Sequence, residues 1–286
     1  MRINHNINSM VTQSARNGNI AETGKSLEKL STGLRINRAS DDAAGLSVSE
    51  QMRTQIKGLG RAKANAQDGI ALLQIAEGAA NEQGVMLQRM RELSIQSSND
   101  TLTSTDRSYL DQEFTALTNE IDRISKTTQY NGQTLIDGGA TSFGGAGSAS
   151  SVLHIGANDV VGTDTMTIEI DGLSAAALGL TTGGANAVGV STQASALAAI
   201  GSIDTAIKSV NNMRSDVGAY VNRLEHAINN MDNQEYNTQD AESRIRDVDF
   251  AAESTKFTKN QILTQSSTSM LAQANQAPNS VMSLIG

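Results

Sequence analysis

The amino-acid sequence predicts a mainly α-helical protein whose two chain ends form a long antiparallel rod, a coiled-coil-like bundle, around a small insert. The chain has a single Pro, Pro278, and its aromatic content is only 3%. This composition permits long helices but provides few bulky side chains for a compact core. Apolar residues also recur at alternating spacings of three and four on both sides of a Gly-rich segment, residues 138–189, as in helices that pack side by side.

The longest regular pattern lies after the Gly-rich segment. Extended back to Leu197, it predicts a helix of about 35 residues and roughly 50 Å, longer than a compact small domain allows. One polar residue, Arg214, interrupts the seam. It either fixes the helix register or extends its charged end past the edge of the core. The seam consists of Ile207, Val210, Arg214, Val217, Val221, Leu224, Ile228 and Met231.

Two helices before the Gly-rich segment supply the packing partners. A break at 97–100 separates them, and Ser104 or Thr105 is expected to cap the second. A helix from each side of the insert must meet to bury these seams, so we expect the two halves of the chain to fold together. The first seam is Met52, Ile56, Leu59, Ala66, Ile70 and Leu73, interrupted by Lys63; the second is Leu110, Phe114, Leu117, Ile121 and Ile124.

Short β-structure is expected after the second helix and within the insert. Asn131-Gly132 is a strong turn signal and predicts a small β-hairpin beside the rod. The insert contains 12 of the 25 Gly residues and no Lys or Arg. Strands are predicted at Val152–Ile155 and Met166–Ile170, where alternating apolar residues indicate a half-buried ribbon. We expect this β-rich insert to be small and exposed.

The two chain termini carry apolar residues without enough apolar area to fold alone. Residues 260–286 contain no charged side chain, yet they include several Leu, Met and Ile residues, and the N-terminal stripe is similarly weak. Such segments cannot offset their ordering entropy by themselves. We expect them to order together as a coiled coil buried among copies of the chain. Frayed termini are the alternative interpretation.

Several classes of function are disfavoured by composition. A formal charge of −8 argues against nucleic-acid binding, and a chain without Cys has no thiolate site. The only three His residues lie before, within and after the Gly-rich segment: His5, His154 and His226. We therefore expect no enzyme activity, cofactor or metal site. No conventional signal peptide or membrane-spanning segment is expected either.

Motifs at both ends closely resemble bacterial flagellin, the family of flagellar filament subunits. The N-terminal motifs read LSTGLRIN at 30–37 and ASDDAAGL at 39–46. The C-terminal motifs read NRLE at 222–225, SRIRDVD at 243–249 and MLAQANQAP at 270–278. The resemblance covers about 1–136 and 193–286, nearly everything outside the insert.

The resemblance implies a domain organisation. Residues 1–44 with 243–286 would form an inner core domain, disordered in the monomer and a coiled coil in the filament. Residues 45–137 with 190–242 would form the helical rod domain with its β-hairpin. Residues 138–189 would be a variable outer insert.

The resemblance also implies a life cycle and partners. The chain would polymerise with itself into a helical filament for swimming motility, after export by the flagellar type III system. Its other partners would be an export chaperone, the cap and hook-junction proteins, and a vertebrate Toll-like receptor for flagellin. The filament would be secreted to the cell exterior, or lie in the periplasm if the flagella are internal.

Three groups of residues follow from the resemblance and the pattern. The filament-core residues are Ile3, Ile7, Leu27, Leu30, Leu34, Leu263, Met270, Leu271, Val281, Leu284 and Ile285. The interdomain spoke contains Arg38, Ser40, Asp41 and Asp42. Subunit packing, and the receptor contact, would use Gln88, Arg89, Glu92, Leu93 and Glu113.

Two other functions are compatible with the pattern. A hook–filament junction protein would have similar ends, but it would be present in few copies per cell. A secreted adhesin would act through residues 138–189, and deletion of that segment would abolish binding but leave filaments intact.

Overall fold

The structure is a computed structural model that describes residues 6–138, 151–158, 160, 162–181 and 188–282, with backbone only for 277–282. It divides the chain into two compact units, residues 57–235 and residues 1–56 with 236–286. The described residues form five helices: α1 (Ile7–Thr32), α2 (Ala43–Ser97), α3 (Ser104–Thr127), α4 (Gln193–Arg246) and α5 (Phe250–Met282). The mainly helical fold predicted from the sequence is confirmed.

In the unit of residues 57–235, α2 and α4 lie antiparallel. Arg91 Nε pairs with Asp204 at 2.7 Å, whereas Lys63 Nζ, 28 residues earlier on α2, pairs with Asp232 at 2.5 Å. Residue numbers thus rise along one helix as they fall along the other. The sequence prediction that helices from opposite sides of the insert meet is confirmed.

The predicted seams form the core of this unit. Val210, Val217 and Leu224 on α4 are at most 1% exposed, and Phe114 and Ile121 on α3 are fully buried. The charged end of Arg214 is partly exposed and lies 3.9 Å from Glu77. This position matches the interpretation in which Arg214 extends its guanidinium past the core edge.

Helix α3 begins one residue earlier than the sequence indicated. Its cap is Thr103, not Ser104 or Thr105: the Thr103 hydroxyl accepts from the backbone N–H of Asp106, whose carboxylate accepts from the backbone N–H of Thr103. This reciprocal capping box satisfies two N–H groups at the start of the helix. The prediction of the cap failed because Ser, Thr and Asp are all favourable N-cap residues, and Thr103, Ser104 and Thr105 are consecutive in the sequence.

The predicted hairpin follows α3. Its strands, β1 (Gln129–Tyr130) and β2 (Gln133–Thr134), pair antiparallel. The turn residues Asn131 and Gly132 have φ of 50° and 81°, the left-handed conformation that Asn and Gly tolerate best. Leu135 and Ile136, directly after β2, are fully buried and anchor the hairpin to the core.

The two predicted strands of the insert also form a ribbon. Strands β3 (Ser151–His154) and β4 (Thr165–Ile168) pair antiparallel, with Val152 opposite Thr167. The alternation is confirmed, because Met166 and Ile168 are buried whereas Thr167 is exposed.

The expectation of an exposed insert is wrong for its described residues. Apolar residues of the insert belong to the same core as the helices, namely Met166, Ile168, Ile170, Leu173, Leu178 and Leu180. Strand β3 lies directly on α2: a methyl group at Gly69 would come within 2.5 Å of Leu153, and Asn65 Nδ2 donates to the carbonyl of His154 at 3.1 Å. A Gly on α2 thus provides the space that this strand fills.

In the unit of residues 1–56 and 236–286, α1 and α5 lie side by side and antiparallel. Asn19 contacts Ser267, while Asn6, thirteen residues earlier, contacts Ala274. Helix α1 ends at Gly33, whose φ of 74° is left-handed and whose N–H donates to the carbonyl of Lys29. A Gly at this place ends the helix without the strain that a side chain would add.

We predict that Val217→Asp strongly destabilises the unit of residues 57–235. Val217 is 1% exposed, so the substitution buries a carboxylate among apolar side chains and costs about 3 kcal/mol or more. Leu197→Asp on the same helix, where Leu197 is 59% exposed, should cost less than about 1 kcal/mol. Urea unfolding followed by circular dichroism measures both, and equal losses would contradict the described packing.

Candidate functional site: the terminal helix pair

Polar side chains form hydrogen bonds across the contact between α1 and α5. Ser9 Oγ donates to Asn275 Oδ1 at 2.7 Å, and Asn19 Nδ2 donates to Ser267 Oγ at 3.0 Å. Arg16 Nε donates to the Thr268 hydroxyl at 3.2 Å, and Asn6 Nδ2 to the carbonyl of Ala274 at 2.7 Å. The three bonds between neutral groups each contribute about 1 kcal/mol net, and the Arg16 bond lies on the exposed surface. The contact therefore stabilises the pair only weakly.

Buried polar atoms on this pair also lack partners. Ser26 Oγ, Glu253 Oε1 and Asn260 Nδ2 are buried and make no hydrogen bond within the described residues. A buried polar group without a partner costs about 1–3 kcal/mol. Each of these atoms therefore requires water or a further partner.

Most of the large apolar side chains of both helices are exposed, whereas Leu30, Phe257 and Leu271 are partly buried. Ile7, Met10 and Val11 on α1 are 58%, 67% and 62% exposed, and Ile262 and Met270 on α5 are 62% and 56% exposed. Single exposed apolar residues are ordinary, but concentrations of them mark interaction surfaces. The further exposed apolar residues on the two helices are Ile20, Leu27, Phe250 and Leu263.

The predicted filament-core residues fall into three groups in the structure. Ile7, Leu27, Leu263 and Met270 are exposed. Partly buried positions are held by Leu30, Leu34 and Leu271. The side chains of Ile3, Val281, Leu284 and Ile285 lie outside the described residues. A role in assembly stays a prediction for all of them.

Backbone bonds join the end of α1 to the end of α4. Arg35 N–H donates to the carbonyl of Arg246 at 2.6 Å, and Val248 N–H donates to the carbonyl of Gly33 at 3.0 Å. The Arg35 guanidinium adds two bonds to the carbonyl of Ile245. This two-stranded junction ties the segment after α1 to the segment before α5, so the terminal helices start from a shared anchor.

An ion pair lies beside the junction. Arg246 Nη1 donates to Glu50 Oε1 at 2.6 Å, and the Arg246 side chain is only 12% exposed. This hydrogen bond holds the pKa of Glu50 below its ordinary value of 4.5, with a smaller contribution from Arg53. Because the folded-state pKa is lowered, the pair favours the folded junction at neutral pH. That stabilisation is lost as pH falls from about 4.5 through the lower folded value.

The predicted spoke residues organise the loop between α1 and α2. Arg38 makes a two-bond contact with Glu28. Asp41 accepts from the backbone N–H groups of Arg38 and Asn37, which lowers its pKa. Asp42 accepts from Gly45 N–H at 2.8 Å at the start of α2, and Ser40 is exposed. Three of the four therefore fix local structure.

The sequence reasoning missed Ile36, which anchors this loop. Ile36 is 1% exposed, and a methyl group at Gly45 would lie 2.8 Å from its Cδ1 and 2.4 Å from Asp42 Oδ2. Gly45 thus permits the close approach of the loop to α2. A lone Ile between Arg35 and Asn37 has no periodic pattern to reveal it.

A charged surface is present on α2 and α3 in the other unit. Arg89 Nε donates to Glu113 at 2.9 Å, and Arg89 Nη1 donates to Glu92 at 3.2 Å. The hydrogen bond to Glu113 is the largest cause that raises the pKa of Arg89, and the hydrogen bond to Glu92 is the second. Gln88 is exposed on the same helix.

Leu93 does not belong to that charged surface. It is fully buried in the core. It follows Met90 by three residues, so the two side chains lie on the same inward face of α2. A partner contact through Leu93 stays a prediction, and the burial of this side chain within the subunit does not support it.

No group of three His, Cys, Asp or Glu side chains in the described part of the chain could hold a metal ion. None of the described helices is long and apolar enough to cross a membrane.

Comparisons of the chain with family models and with known proteins agree on one family. Residues 3–141 match the model of the bacterial flagellin N-terminal helical region, and residues 200–285 match that of the C-terminal helical region. Flagellin FlaB2 of Treponema pallidum is 46% identical and the flagellar filament 33 kDa core protein of Treponema phagedenis 47% identical, each aligned over the whole of both chains. A structure described as a flagellar hook-associated protein from Vibrio parahaemolyticus matches 72% of this chain and all of its own, with a TM-score of 0.58 and 18% identity. That structure supports the fold alone.

We predict that Arg246→Met raises the pKa of Glu50 towards 4.5, because the strongest hydrogen bond to the carboxylate is lost. Arg53→Met should raise it less, since the Arg53 contact is longer, at 3.3 Å. Carbon-detected NMR titration of the Glu50 carboxyl group in each variant measures the shifts. An equal or larger shift in Arg53→Met would contradict the assigned role of Arg246.

Proposed function

The chain belongs to the bacterial flagellin family and is a structural subunit of a flagellar filament, and we propose that α1 and α5 join neighbouring subunits. One observation carries this proposal: the two helices form hydrogen bonds with each other through polar side chains and expose most of their large apolar ones. For such a pair, most of the available stabilisation would come from burying the exposed apolar side chains against other molecules. Further copies of the same pair supply the surface that it lacks.

The energetics favour burial of this surface between copies. Full burial of a Leu, Ile or Met side chain contributes about 1.5–3 kcal/mol. Nine exposed apolar side chains on the two helices therefore offer more than the several kcal/mol that association costs in lost freedom. The same burial would offset the entropy of ordering the termini, which supports termini that are disordered in the monomer and coiled in the filament.

The proposed inner core domain is residues 1–44 with 243–286. The junction of Gly33 and Arg35 with Arg246 and Val248 supports this division, because it ties the two terminal segments together at their base. Residues 45–137 with 190–242 are proposed as the helical rod domain. The outer insert keeps its predicted bounds, 138–189, although its described residues pack onto the helices.

The charged surface of Gln88, Arg89, Glu92 and Glu113 is proposed as a packing contact between subunits. Its ion pairs are solvent-exposed, so they contribute little to the stability of the subunit itself. They remain available for contacts with another chain. The same surface would be the one open to a vertebrate Toll-like receptor when subunits are free, without Leu93.

The same exposed apolar surface suggests how the chain is kept from aggregating before assembly. Exposed Ile, Leu and Met residues on an unassembled helix favour non-specific association. We therefore propose that an export chaperone covers the C-terminal segment, that the flagellar type III system exports the chain, and that the cap and hook-junction proteins receive it. The final location is the filament, outside the cell or in the periplasm.

The other functions have less support. Relatives that align over the whole of both chains carry the names flagellin and flagellar filament core protein, which favours the filament over the hook–filament junction. The adhesin hypothesis needs a free insert, yet the described insert residues are packed in the core. Flagellins are structural proteins, and no enzyme activity is proposed.

We predict that Ile262→Asn impairs polymerisation while Ile262→Leu does not. Ile262 is 62% exposed, so neither change disturbs the core, but only Asn removes the apolar area that the filament would bury. The loss of about 1.5 kcal/mol or more corresponds to a tenfold or greater rise in critical concentration.

Sedimentation of seeded filaments at a series of subunit concentrations gives the critical concentration. Ile262→Leu should stay within about twofold of the wild type, since the swap conserves volume. Assembly of Ile262→Asn at the wild-type critical concentration would contradict the proposal.

A further inference from the structure

Methionine is the only sulfur-containing residue in this chain, which has ten Met and no Cys. Thioether sulfur is the group that peroxides oxidise most readily once thiols are absent. Susceptibility follows exposure, so the burial of each Met predicts its reactivity. Among the Met side chains that the structure describes, Met10 and Met270 are 67% and 56% exposed.

The other described Met side chains are shielded. Met90, Met213, Met166 and Met231 are 0%, 2%, 4% and 5% exposed. Met52 and Met86 are partly buried. The most exposed sulfur atoms of the described residues therefore lie on the terminal helices, whereas the core of the unit of residues 57–235 buries Met90, Met166, Met213 and Met231.

Both exposed sulfur atoms lie on the helices proposed to join subunits. Met10 belongs to the apolar face of α1 with Ile7 and Val11, and it lines a groove with Leu271 of α5. Met270 is the neighbour of Leu271 and lies seven residues after Leu263, on the same side of α5. A polar group at either place would interrupt an apolar surface.

We propose that Met10 and Met270 are oxidation sites, and that their sulfoxides keep a subunit out of the filament. The proposal rests on the proposed function of α1 and α5 and adds a chemical control over it. Peroxide is the co-reactant. The susceptible period is before assembly, because neighbouring subunits would cover both side chains in the polymer.

The chemical step is a two-electron oxidation. A sulfur lone pair attacks one oxygen of hydrogen peroxide, the O–O bond breaks, and an S=O bond forms. The second oxygen leaves as hydroxide and takes the proton released by the first, giving water. Sulfur is oxidised and peroxide is reduced. A methionine sulfoxide reductase reverses the change, so the block is reversible in principle.

The physical effect is the conversion of an apolar side chain into a strongly polar one. A sulfoxide oxygen accepts hydrogen bonds from water and loses them when it is buried among apolar side chains. Two such groups on the assembly surface should raise the critical concentration about tenfold or more. The helices themselves need not change, because the side chains already face solvent.

A competition experiment on the wild-type protein tests the proposal. Free subunits receive enough hydrogen peroxide to oxidise about half of the exposed Met, and the peroxide is removed. Seeds of untreated filament then draw subunits from the mixture. Peptide mass spectrometry compares the sulfoxide content of the filaments with that of the subunits left in solution.

The expected result is depletion of sulfoxide at Met10 and Met270 from the filaments by about fivefold or more. Sulfoxide formed at Met52 or Met86 should be equally abundant in both pools, which provides an internal control. Treatment of assembled filaments should oxidise Met10 and Met270 at least several times more slowly than treatment of free subunits. Equal sulfoxide content in the two pools would overturn the proposal.

A matched variant separates this proposal from the proposed function. Met10→Leu with Met270→Leu removes both exposed sulfur atoms, so the critical concentration measured for this variant should be the same before and after peroxide treatment. If peroxide treatment still raises the critical concentration of the variant, the oxidation proposal is overturned. Failure of untreated wild-type subunits to extend seeds would instead contradict the proposed function.

Discussion

The terminal helices form hydrogen bonds with each other through polar side chains and expose most of their large apolar side chains, and the proposed assembly depends on this arrangement. In an ordinary helix pair, apolar seams meet inside and polar groups face water. Here Ser9, Asn19 and Ser267 form part of the contact, while Ile7 and Ile262 lie outside it. In the proposed filament, the hydrophobic effect would therefore stabilise contacts between subunits more than the contact within one terminal pair. The junction at Arg246 supplies the fixed base from which both helices extend.

Much of the helical unit could be predicted from sequence because its apolar residues repeat with the helical period. Val210, Val217 and Phe114 were placed in the core by spacing alone and are buried in the structure. The Asn131-Gly132 turn was equally predictable, since few residue pairs tolerate two successive positive φ angles. In these places local preference and tertiary packing agree.

The rest depended on contacts between distant parts of the chain, which no local pattern encodes. The insert was expected to be exposed, yet Gly69 on α2 creates the space that Leu153 of the insert fills. Leu93 was assigned to a surface by resemblance, although burial is decided by which helix packs against it. Ile36 and the pair of Arg246 with Glu50 became visible only when residues far apart in sequence were brought together.

Hydrogen exchange of the backbone amides in α1 and α5 tests the central claim most directly. It should be measured in a dilute sample shown to be monomeric and again in assembled filaments, with the helices of residues 57–235 as the reference for a stable core. The account predicts weak protection of both terminal helices in the monomer and core-like protection in the filament. Strong protection of α1 and α5 in the monomer would show that the pair is stable without neighbours and would contradict the account.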